Sequence, residues 1–205
     1  MHSYSTDQPR RHQWYIWIGV IAASVAFLPL AAGSLKGIPL GVLVGGLYYG
    51  FTRWLWKWSV LRAYNIVEVP VLDGEWEGYL YTSKDPAEID DELIVKTGKQ
   101  RDGLTKMETS LRIEQTWDKV LVSLDGPESN SGSQGATILV KENAWPTIAY
   151  NYVNDGGYAN DDLDMHYGTT TLQYDADEDK LEGPYYTRPD QRGNHGILEL
   201  YRKSQ

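Results

Sequence analysis

The apolar residues of the chain fall into two continuous runs near the N-terminus, followed by a long region of alternating pattern. Residues 14–35 contain no charge over 22 positions, and a second apolar run covers residues 38–52. As a helix, the first run reaches about 33 Å, enough to cross a hydrocarbon core about 30 Å thick. The second is shorter, at about 22 Å. We predict that the two runs form a hairpin of transmembrane helices, and we assign residues 1–66 to this N-terminal domain.

The residues around the hairpin support this prediction and set its orientation. Basic residues flank its outer ends, whereas Lys36 alone lies in the turn; the flanking residues are Arg10, Arg11, Arg53, Lys57 and Arg62. The tryptophans Trp54, Trp56 and Trp58 suit an interfacial belt. A cleaved signal peptide is the alternative, but its apolar core would be shorter and no second span would follow. The positive-inside rule predicts that both termini, and everything after residue 66, lie in the cytoplasm.

From Val67 onward the pattern changes to period two, which is typical of β-strands. We predict about eight short strands, near residues 75–82, 107–117, 120–124, 136–140, 145–154, 167–174, 180–187 and 196–203. The segment 88–96 is either a further strand or a loop, and the Ser/Gly/Asn-rich segment 126–135 reads as a flexible loop.

Short turns between neighbouring strands favour an antiparallel up-and-down β-barrel over residues 67–205, with a β-sandwich as the alternative. A barrel of about eight strands can hold one small ligand. The fold class predicted for the whole chain is therefore an all-β barrel preceded by a two-helix transmembrane hairpin.

Charge is distributed unevenly between these two parts. Residues 1–66 hold six basic residues and one acid, whereas residues 67–205 hold thirteen basic residues and twenty-seven acids. A strongly acidic body repels long nucleic acids, although a few local cations can still bind a small anion. The predicted partners therefore include no long nucleic acid.

The sequence contains no recognisable catalytic or metal-binding constellation. Cysteine is absent, and the body of the chain has two histidines, His166 and His195, in no metal-binding spacing. The acidic segment 160–164 lacks the glycine and distal glutamate of a calcium loop. We predict a protein that is not an enzyme, with no catalytic residue, no bound metal and no cofactor.

Tyrosines and arginines in the second half of the body point instead to binding. Tyrosine rings can stack on bases, and guanidinium groups can bind phosphate through paired hydrogen bonds. The residues concerned include Tyr150, Tyr152 and Tyr186, with Arg188, Arg192 and Asn194 in the following turn. The alternative is that tyrosine is common in strands and that an arginine-rich turn is solvated.

Several segments in a fixed order resemble the two-transmembrane, β-strand-rich effectors of CBASS, a bacterial antiphage system that signals through cyclic oligonucleotides. After the two apolar runs, Gly74, Trp76 and Gly78 form a Gly-x-Trp-x-Gly strand opening. The later matching segments are residues 148–154, 166–172, 181–188 and 196–202. The resemblance covers nearly the whole chain, and the order of its elements is more specific than any single motif.

The resemblance implies a cytoplasmic barrel that binds a cyclic dinucleotide made by a partner nucleotidyltransferase during infection. Ligand binding would promote homo-oligomerisation, and the membrane segments would then disrupt the inner membrane and kill the infected cell, as in abortive infection. Tyrosines would stack the bases, arginines would neutralise phosphate, and polar side chains would read base edges or ribose. The predicted ligand-binding residues are Tyr150, Tyr152, Asn154, Tyr186, Thr187, Arg188, Arg192 and Asn194.

Glycines recur at four-residue spacing in and near the second apolar run, at Gly37, Gly41 and Gly45. Such spacing lets membrane helices approach closely, so these glycines are predicted to pack helices together, either within the hairpin or between chains. Two other functions remain open: a lipocalin-like, membrane-anchored binder of an apolar small molecule, or an interaction scaffold with a filled barrel.

Overall fold

The computed structural model describes residues 1–8, 13–31, 39–126, 129–140, 145–154, 165–188 and 193–203, with backbone alone for residues 28–31. The chain divides into two compact units. The larger unit comprises residues 1–7, 69–115 and 119–205, and the smaller comprises residues 8–68 and 116–118.

The smaller unit contains the helices. They are α1 (Gln13–Ala31), α2 (Leu40–Arg53), a 3₁₀ turn (Leu55–Lys57) and α3 (Ser59–Ala63). The rings of Trp14 and Phe51 stack with their centroids 4.9 Å apart, which places α1 against α2. The two helices coincide with the two apolar runs of the sequence. Within the residues that the structure describes, no helix combines the length and the hydrophobicity needed to cross a membrane.

The α2 glycines have space around them in the described part of the chain. A Cβ added to Gly41 or Gly45 would find no described atom within 4 Å. Among the described residues, the face that carries them has no close neighbour. Gly37, the third predicted packing glycine, lies outside the described residues.

The sequence predicted that the three tryptophans after α2 form one interfacial belt. In the structure their exposures differ. Trp54 and Trp58 are each 58% exposed, but Trp56 is completely buried. Its ring lies 6.0 Å from that of Trp117, which belongs to the same unit. The prediction was wrong for Trp56 because periodicity alone could not reveal a ring supplied by a distant segment.

The larger unit is a closed β-barrel, and its described residues form nine strands rather than about eight. The strands are β1 (His2–Thr6), β2 (Gly74–Thr82), β3 (Thr105–Gln115), β4 (Lys119–Asp125), β5 (Asn130–Leu139), β6 (Thr147–Asn154), β7 (His166–Asp175), β8 (Lys180–Thr187) and β9 (His195–Arg202). From β2 to β9, consecutive strands pair antiparallel, and β9 pairs with β2. The antiparallel barrel is confirmed.

The additional strand, β1, fills a seam in the wall. β4 and β5 pair directly only between Ser123–Asp125 and Asn130–Gly132. Farther along, β1 lies between them, antiparallel to β4 and parallel to β5. The His2 Nε2 atom lies 2.8 Å from Ser133 Oγ, and this hydroxyl also accepts a hydrogen bond from the Val122 amide at 2.8 Å. β1 was missed because a five-residue polar segment carries little pattern of its own.

One other segment differs from the sequence prediction, and for another the structure decides between two alternatives. Residues 130–135, predicted as part of a flexible loop, lie within β5, where Ser131 and Ser133 are buried. Small polar residues are loop formers in general, but here they line a polar part of the interior. Segment 88–96, predicted as either a strand or a loop, is a loop. It contains the end of one 3₁₀ turn (Pro86–Glu88), a second 3₁₀ turn (Asp91–Leu93) and one β-bridge from Ile94 to Met107.

The interior is apolar and filled at one end. Trp76 is fully buried, its indole N–H donates to the Leu72 carbonyl at 3.0 Å, and the Arg202 guanidinium lies 4.1 Å from the centre of its ring. Arg202 in turn donates to the carbonyls of Asp73 and Val71 at 2.7 and 2.8 Å. We call this the closed end. Its other inward residues include Leu111, Ile113, Ile138, Ile148, Leu172 and Leu181, all nearly inaccessible.

Candidate functional site

The opposite end of the barrel interior is polar. Here β2, β4, β6 and β8 end, and β3, β5, β7 and β9 begin. Side chains that face the interior alternate along each strand, so cross-strand partners such as Asn154 and His166 share the inner face. They surround a cavity of about 90 Å³. We call this region the polar end. Its lining includes Thr82, Lys84, Ser131, Tyr150, Tyr152, Asn154, His166, Thr170, Tyr185, Thr187 and Asn194.

Three tyrosines form the aromatic part of this lining. Tyr150, Tyr152 and Tyr185 are 5%, 8% and 8% exposed, and the rings of Tyr150 and Tyr152 lie 6.4 Å apart. Burial raises the pKa of Tyr150 and Tyr152 well above the usual value, and it raises the pKa of Tyr185 to about 12. All three phenols are therefore neutral near pH 7. They can donate hydrogen bonds to an anionic ligand.

Two glycines on neighbouring strands make room for these rings. A Cβ at Gly168 would collide with the Tyr152 phenol, and one at Gly196 would lie 2.7 Å from a ring carbon of Tyr185. A side chain at either position would clash both with a ring and with the backbone, since an added Cβ would also lie 2.6 Å from the Tyr186 carbonyl oxygen at Gly168 and would overlap the Tyr81 carbonyl oxygen at Gly196. Gly168 and Gly196 thus fix where the aromatic faces lie.

Hydrogen-bonding groups surround the rings near the mouth. The Asn154 amide nitrogen donates to Ser129 Oγ at 2.6 Å, and the Thr187 hydroxyl donates to the Asn194 carbonyl at 2.9 Å. These contacts hold the two strand ends in place. Amide, hydroxyl and imidazole groups at one opening can bind the edges of a base or a ribose.

A wider depression lies on the outer surface beside the polar end. Its volume is about 870 Å³, and it is lined in part by Tyr167, Tyr186, Arg188 and His195. Tyr152, Thr187 and Asn194 line both the depression and the inner cavity. The interior cavity is well below the roughly 300–1,000 Å³ that small-molecule sites occupy, whereas the depression lies within that range.

The structure separates the predicted ligand-binding residues into two groups. Tyr150, Tyr152, Asn154, Thr187 and Asn194 line the inner cavity. Tyr186 and Arg188 flank Thr187 on β8 and its end, and because side chains alternate they lie on the outside, exposed to solvent. Arg192 lies outside the described residues.

Several lining residues were not among those predicted. Tyr185 faces the cavity from β8 and His166 from β7, and Lys84 follows the end of β2. Pairing register would have identified the first two, since Tyr185 pairs with Thr170 and His166 pairs with Asn154. The sequence pattern did not reveal which residues of neighbouring strands pair with each other. Lys84 lies after a strand end, where alternation no longer applies.

The described residues contain no group of three or more carboxylate or imidazole side chains placed to hold a metal ion. What they place around the cavity are neutral phenols, hydroxyls and amides, together with one imidazole, one lysine and the apolar side chains of Leu80, Met107, Leu124 and Leu198. Such an arrangement is suited to binding a flat, polar, anionic molecule.

Comparison with known proteins agrees with this chemistry. Residues 67–202 match the family model described as Cap15, cyclic dinucleotide receptor domain. The chain is also 29% identical over 175 residues to CD-NTase-associated protein 15 of Yersinia aleksiciae, covering 85% of this chain and 74% of that protein. The second match is longer than residues 67–205, so it includes part of the helical segment. All strands from β2 to β9 lie within the first match, and this chain belongs to the Cap15 cyclic dinucleotide receptor domain family.

Proposed function

We propose that this protein is a membrane-anchored effector of CBASS antiphage defence whose barrel binds a cyclic dinucleotide at the polar end. The observation that carries the proposal is the ring of buried, neutral tyrosines and polar side chains inside a domain that matches the receptor family. A linked nucleotidyltransferase would supply the ligand during infection.

The side chains at the polar end fit the parts of such a ligand. The faces of Tyr150, Tyr152 and Tyr185 would stack on bases, a contact worth about 1–3 kcal/mol per base. Asn154, Thr187 and Asn194 would contact base edges or ribose. These assignments rest on the positions of the residues around one cavity.

Phosphate binding requires a cation, and two cationic residues of the described part of the chain lie beside the mouth. Lys84 lines the inner cavity, whereas Arg188 lines the outer depression. The original expectation assigned phosphate to Arg188 or Arg192. We add Lys84, because it lines the inner cavity, where a bound anion is partly removed from water and charge interactions are stronger.

The volume of the cavity indicates how the ligand is accommodated. A space of about 90 Å³ is too small for two bases and two phosphates together. We infer that the ligand spans the mouth, or that lining side chains move when it binds. Tyr152 is the residue best placed for such a movement, since its side chain borders both the cavity and the depression.

The membrane part of the proposal rests on the sequence and on the glycine face of α2. The two apolar runs and their basic flanks support a multi-pass anchor in the inner membrane, with the N-terminus and the barrel in the cytoplasm. Gly41 and Gly45 face no described neighbour, which leaves them available to a helix of another chain. Assembly on ligand binding would bring these faces together, disrupt the bilayer and kill the infected cell.

Thermal unfolding of the detergent-solubilised full chain against a panel of cyclic dinucleotides tests the ligand. The full chain is needed because a fragment that begins at residue 67 would lack β1. A ligand at 100 times its dissociation constant should add about 2.7 kcal/mol to stability. A selective rise in melting temperature supports the proposal, and no rise with any member of the panel contradicts it.

Once a ligand has been found, substitutions of Lys84 and Arg188 distinguish which of the two residues contacts phosphate. Lys84→Gln should weaken binding about 10–100-fold, which corresponds to the 1.5–3 kcal/mol of a hydrogen bond to a charged group. Lys96→Gln is the matched control, because Lys96 is exposed and pairs with Asp91 away from the cavity. If Arg188→Gln weakens binding and Lys84→Gln does not, phosphate lies in the outer depression.

A further inference from the structure

The outer surface of the barrel has two walls of opposite character. On β6 and β7 the exposed strand residues before Asp175 are all uncharged: Asn151, Tyr167, Thr169, Thr171 and Gln173. On β2 and β3 the exposed strand residues are all charged: Glu75, Glu77, Glu108, Arg112 and Glu114. We call these surfaces the neutral wall and the charged wall.

The two walls lie on opposite sides of the barrel. Around the barrel the strands pair in the order β4, β3, β2, β9, β8, β7, β6 and β5. In this order the pair β2–β3 lies opposite the pair β6–β7. The neutral wall also extends sideways. Gln134 on β5, and Pro184 and Tyr186 on β8, are exposed and uncharged.

The absence of charge on this wall is unusual for this chain. Residues 67–205 contain forty charged residues, yet β5 and β6 contain none. The neutral wall also carries a concave depression of about 870 Å³, in which Tyr167 and Tyr186 are 40% and 54% exposed. Depletion of charged residues and exposed tyrosines are properties of protein–protein interfaces.

The charge of the chain indicates which surface the neutral wall docks on. The chain has a formal net charge of −9, so two copies repel each other wherever carboxylates face carboxylates. The neutral wall is the part of the described barrel surface on which that repulsion is smallest. Docking it on the charged wall of another copy would desolvate five charged side chains against a surface that offers no counter-charge, which is unfavourable. The pairs Glu77–Lys203 and Arg112–Glu114 offset only part of this cost. Docking it on the same wall of a second copy avoids this cost.

We propose that the barrel forms a two-fold symmetric dimer through the neutral wall, with β6 and β7 of one copy packed on β6 and β7 of the other. Each sheet presents threonine, asparagine and glutamine side chains that can exchange hydrogen bonds, flanked by tyrosines that supply contact area. This contact is separate from the glycine face of α2. It borders the ligand-binding end at the depression, through Tyr152, Thr187 and Asn194, and it does not require ligand.

Mass measurement of the full chain in detergent tests the proposal. Sedimentation or light scattering, corrected for bound detergent, should give twice the mass of one chain. The double variant Thr169→Glu/Gln173→Glu should shift the protein to the monomer, because four carboxylates would then meet at the interface. Ser110→Glu, on the charged wall, is the matched control and should leave the dimer intact. A monomeric wild type, or a double variant that keeps the wild-type mass, overturns the proposal.

Salt gives an independent readout. Because the contact itself contains little charge, higher ionic strength should screen the repulsion between the acidic bodies and strengthen the dimer. An interface held by ion pairs would weaken instead, and that result overturns the neutral wall as the contact.

Cross-linking then locates the interface. The chain has no cysteine, so a single introduced thiol reports one position. Two-fold symmetry brings each residue near the axis next to its own copy, so Thr169→Cys or Thr171→Cys should form a disulfide-linked dimer on mild oxidation. Ser110→Cys should not. If linkage appears when Thr169→Cys is mixed with Ser110→Cys and not within either alone, the contact is head-to-tail and the symmetric dimer is wrong.

Discussion

The two ends of the barrel interior are built from the same strands but serve different purposes. Along β6 the inward residues change from Ile148 through Tyr150 and Tyr152 to Asn154. Along β7 they change from Leu172 to His166. At the closed end apolar side chains fill the space, whereas at the polar end a cavity of about 90 Å³ remains. Each strand therefore carries the residues for stability at one end and those for recognition at the other.

This difference has an energetic reason. Burying apolar area stabilises the fold by about 25 cal/mol per Å², without any requirement for direction. Polar groups in the interior contribute less and must find partners, as Asn154 does with Ser129 and Thr187 with the Asn194 carbonyl. Concentrating the apolar residues at one end lets the other end keep groups that are useful to a ligand. Substitutions at the two ends should consequently affect different measurements.

The largest effect is expected at the closed end. Trp76→Ala should destabilise the fold by about 3–5 kcal/mol, because it removes a fully buried ring and leaves a cavity beneath Arg202. Denaturant unfolding of the full chain measures this loss. If the variant is too unstable to purify, Trp76→Phe should show a smaller loss of the same sign. A change below about 1 kcal/mol for Trp76→Ala would mean that this end is not the principal core.

The next largest loss of stability is expected at the seam that β1 fills between β4 and β5. Ser133→Ala removes the hydroxyl that lies against His2 and accepts the Val122 amide, so we expect a loss of about 1–3 kcal/mol. Ser123→Ala is the matched control, since Ser123 is not buried and lies where β4 and β5 pair directly. Equal stability of the two variants would show that β1 adds little to closure of the barrel.

These comparisons show how much of the fold the sequence could reveal. Alternation predicted the strands of the barrel and a common face for Ile148, Tyr150 and Tyr152, because an apolar and polar period of two is a local property. It did not predict whether that face points into the barrel, which the structure shows. It did not predict β1, whose pairing with β4 and β5 depends on residues more than 110 positions away. It also misread residues 130–135, since serine and glycine signal loops when their polar surroundings are unknown.

The candidate site shows a similar limit. Tyr150, Tyr152 and Asn154 lie on one strand, so their common face followed from spacing alone. Tyr186 and Arg188 were grouped with Thr187 by proximity in sequence, yet alternation places them on the other side of the wall. Which residues from different strands meet depends on register, and a bulge such as that at Ser133 and Gly135 changes register without a clear sequence signal.

A smaller effect on stability, with a clear effect on binding, is expected at the polar end. Asn154→Ala should lower cyclic dinucleotide affinity about 10-fold while costing the fold about 1 kcal/mol for its bond to Ser129. Ile148→Val, six residues earlier on the same inner face, is the matched variant. It should cost about 0.5–1.5 kcal/mol of stability and leave affinity unchanged. Titration calorimetry of both variants checks this, and a loss of affinity in Ile148→Val would show that the ends are not independent.

The smallest effect concerns the buried phenols. It changes how stability depends on pH and is not detectable at neutral pH. Burial raises the pKa of Tyr185 from 10.0 to about 12, so the folded state holds this proton more tightly than the unfolded state does. The stabilisation is complete below pH 10 and is lost as pH rises toward 12, because unfolding then releases the proton.

Wild type should therefore lose stability more steeply over this interval than Tyr185→Phe, although the variant also lacks the hydroxyl at neutral pH. Ile148→Val should keep the wild-type slope. Denaturant unfolding across the interval measures both slopes, and equal slopes for wild type and Tyr185→Phe would place this phenol in contact with water rather than inside the polar end.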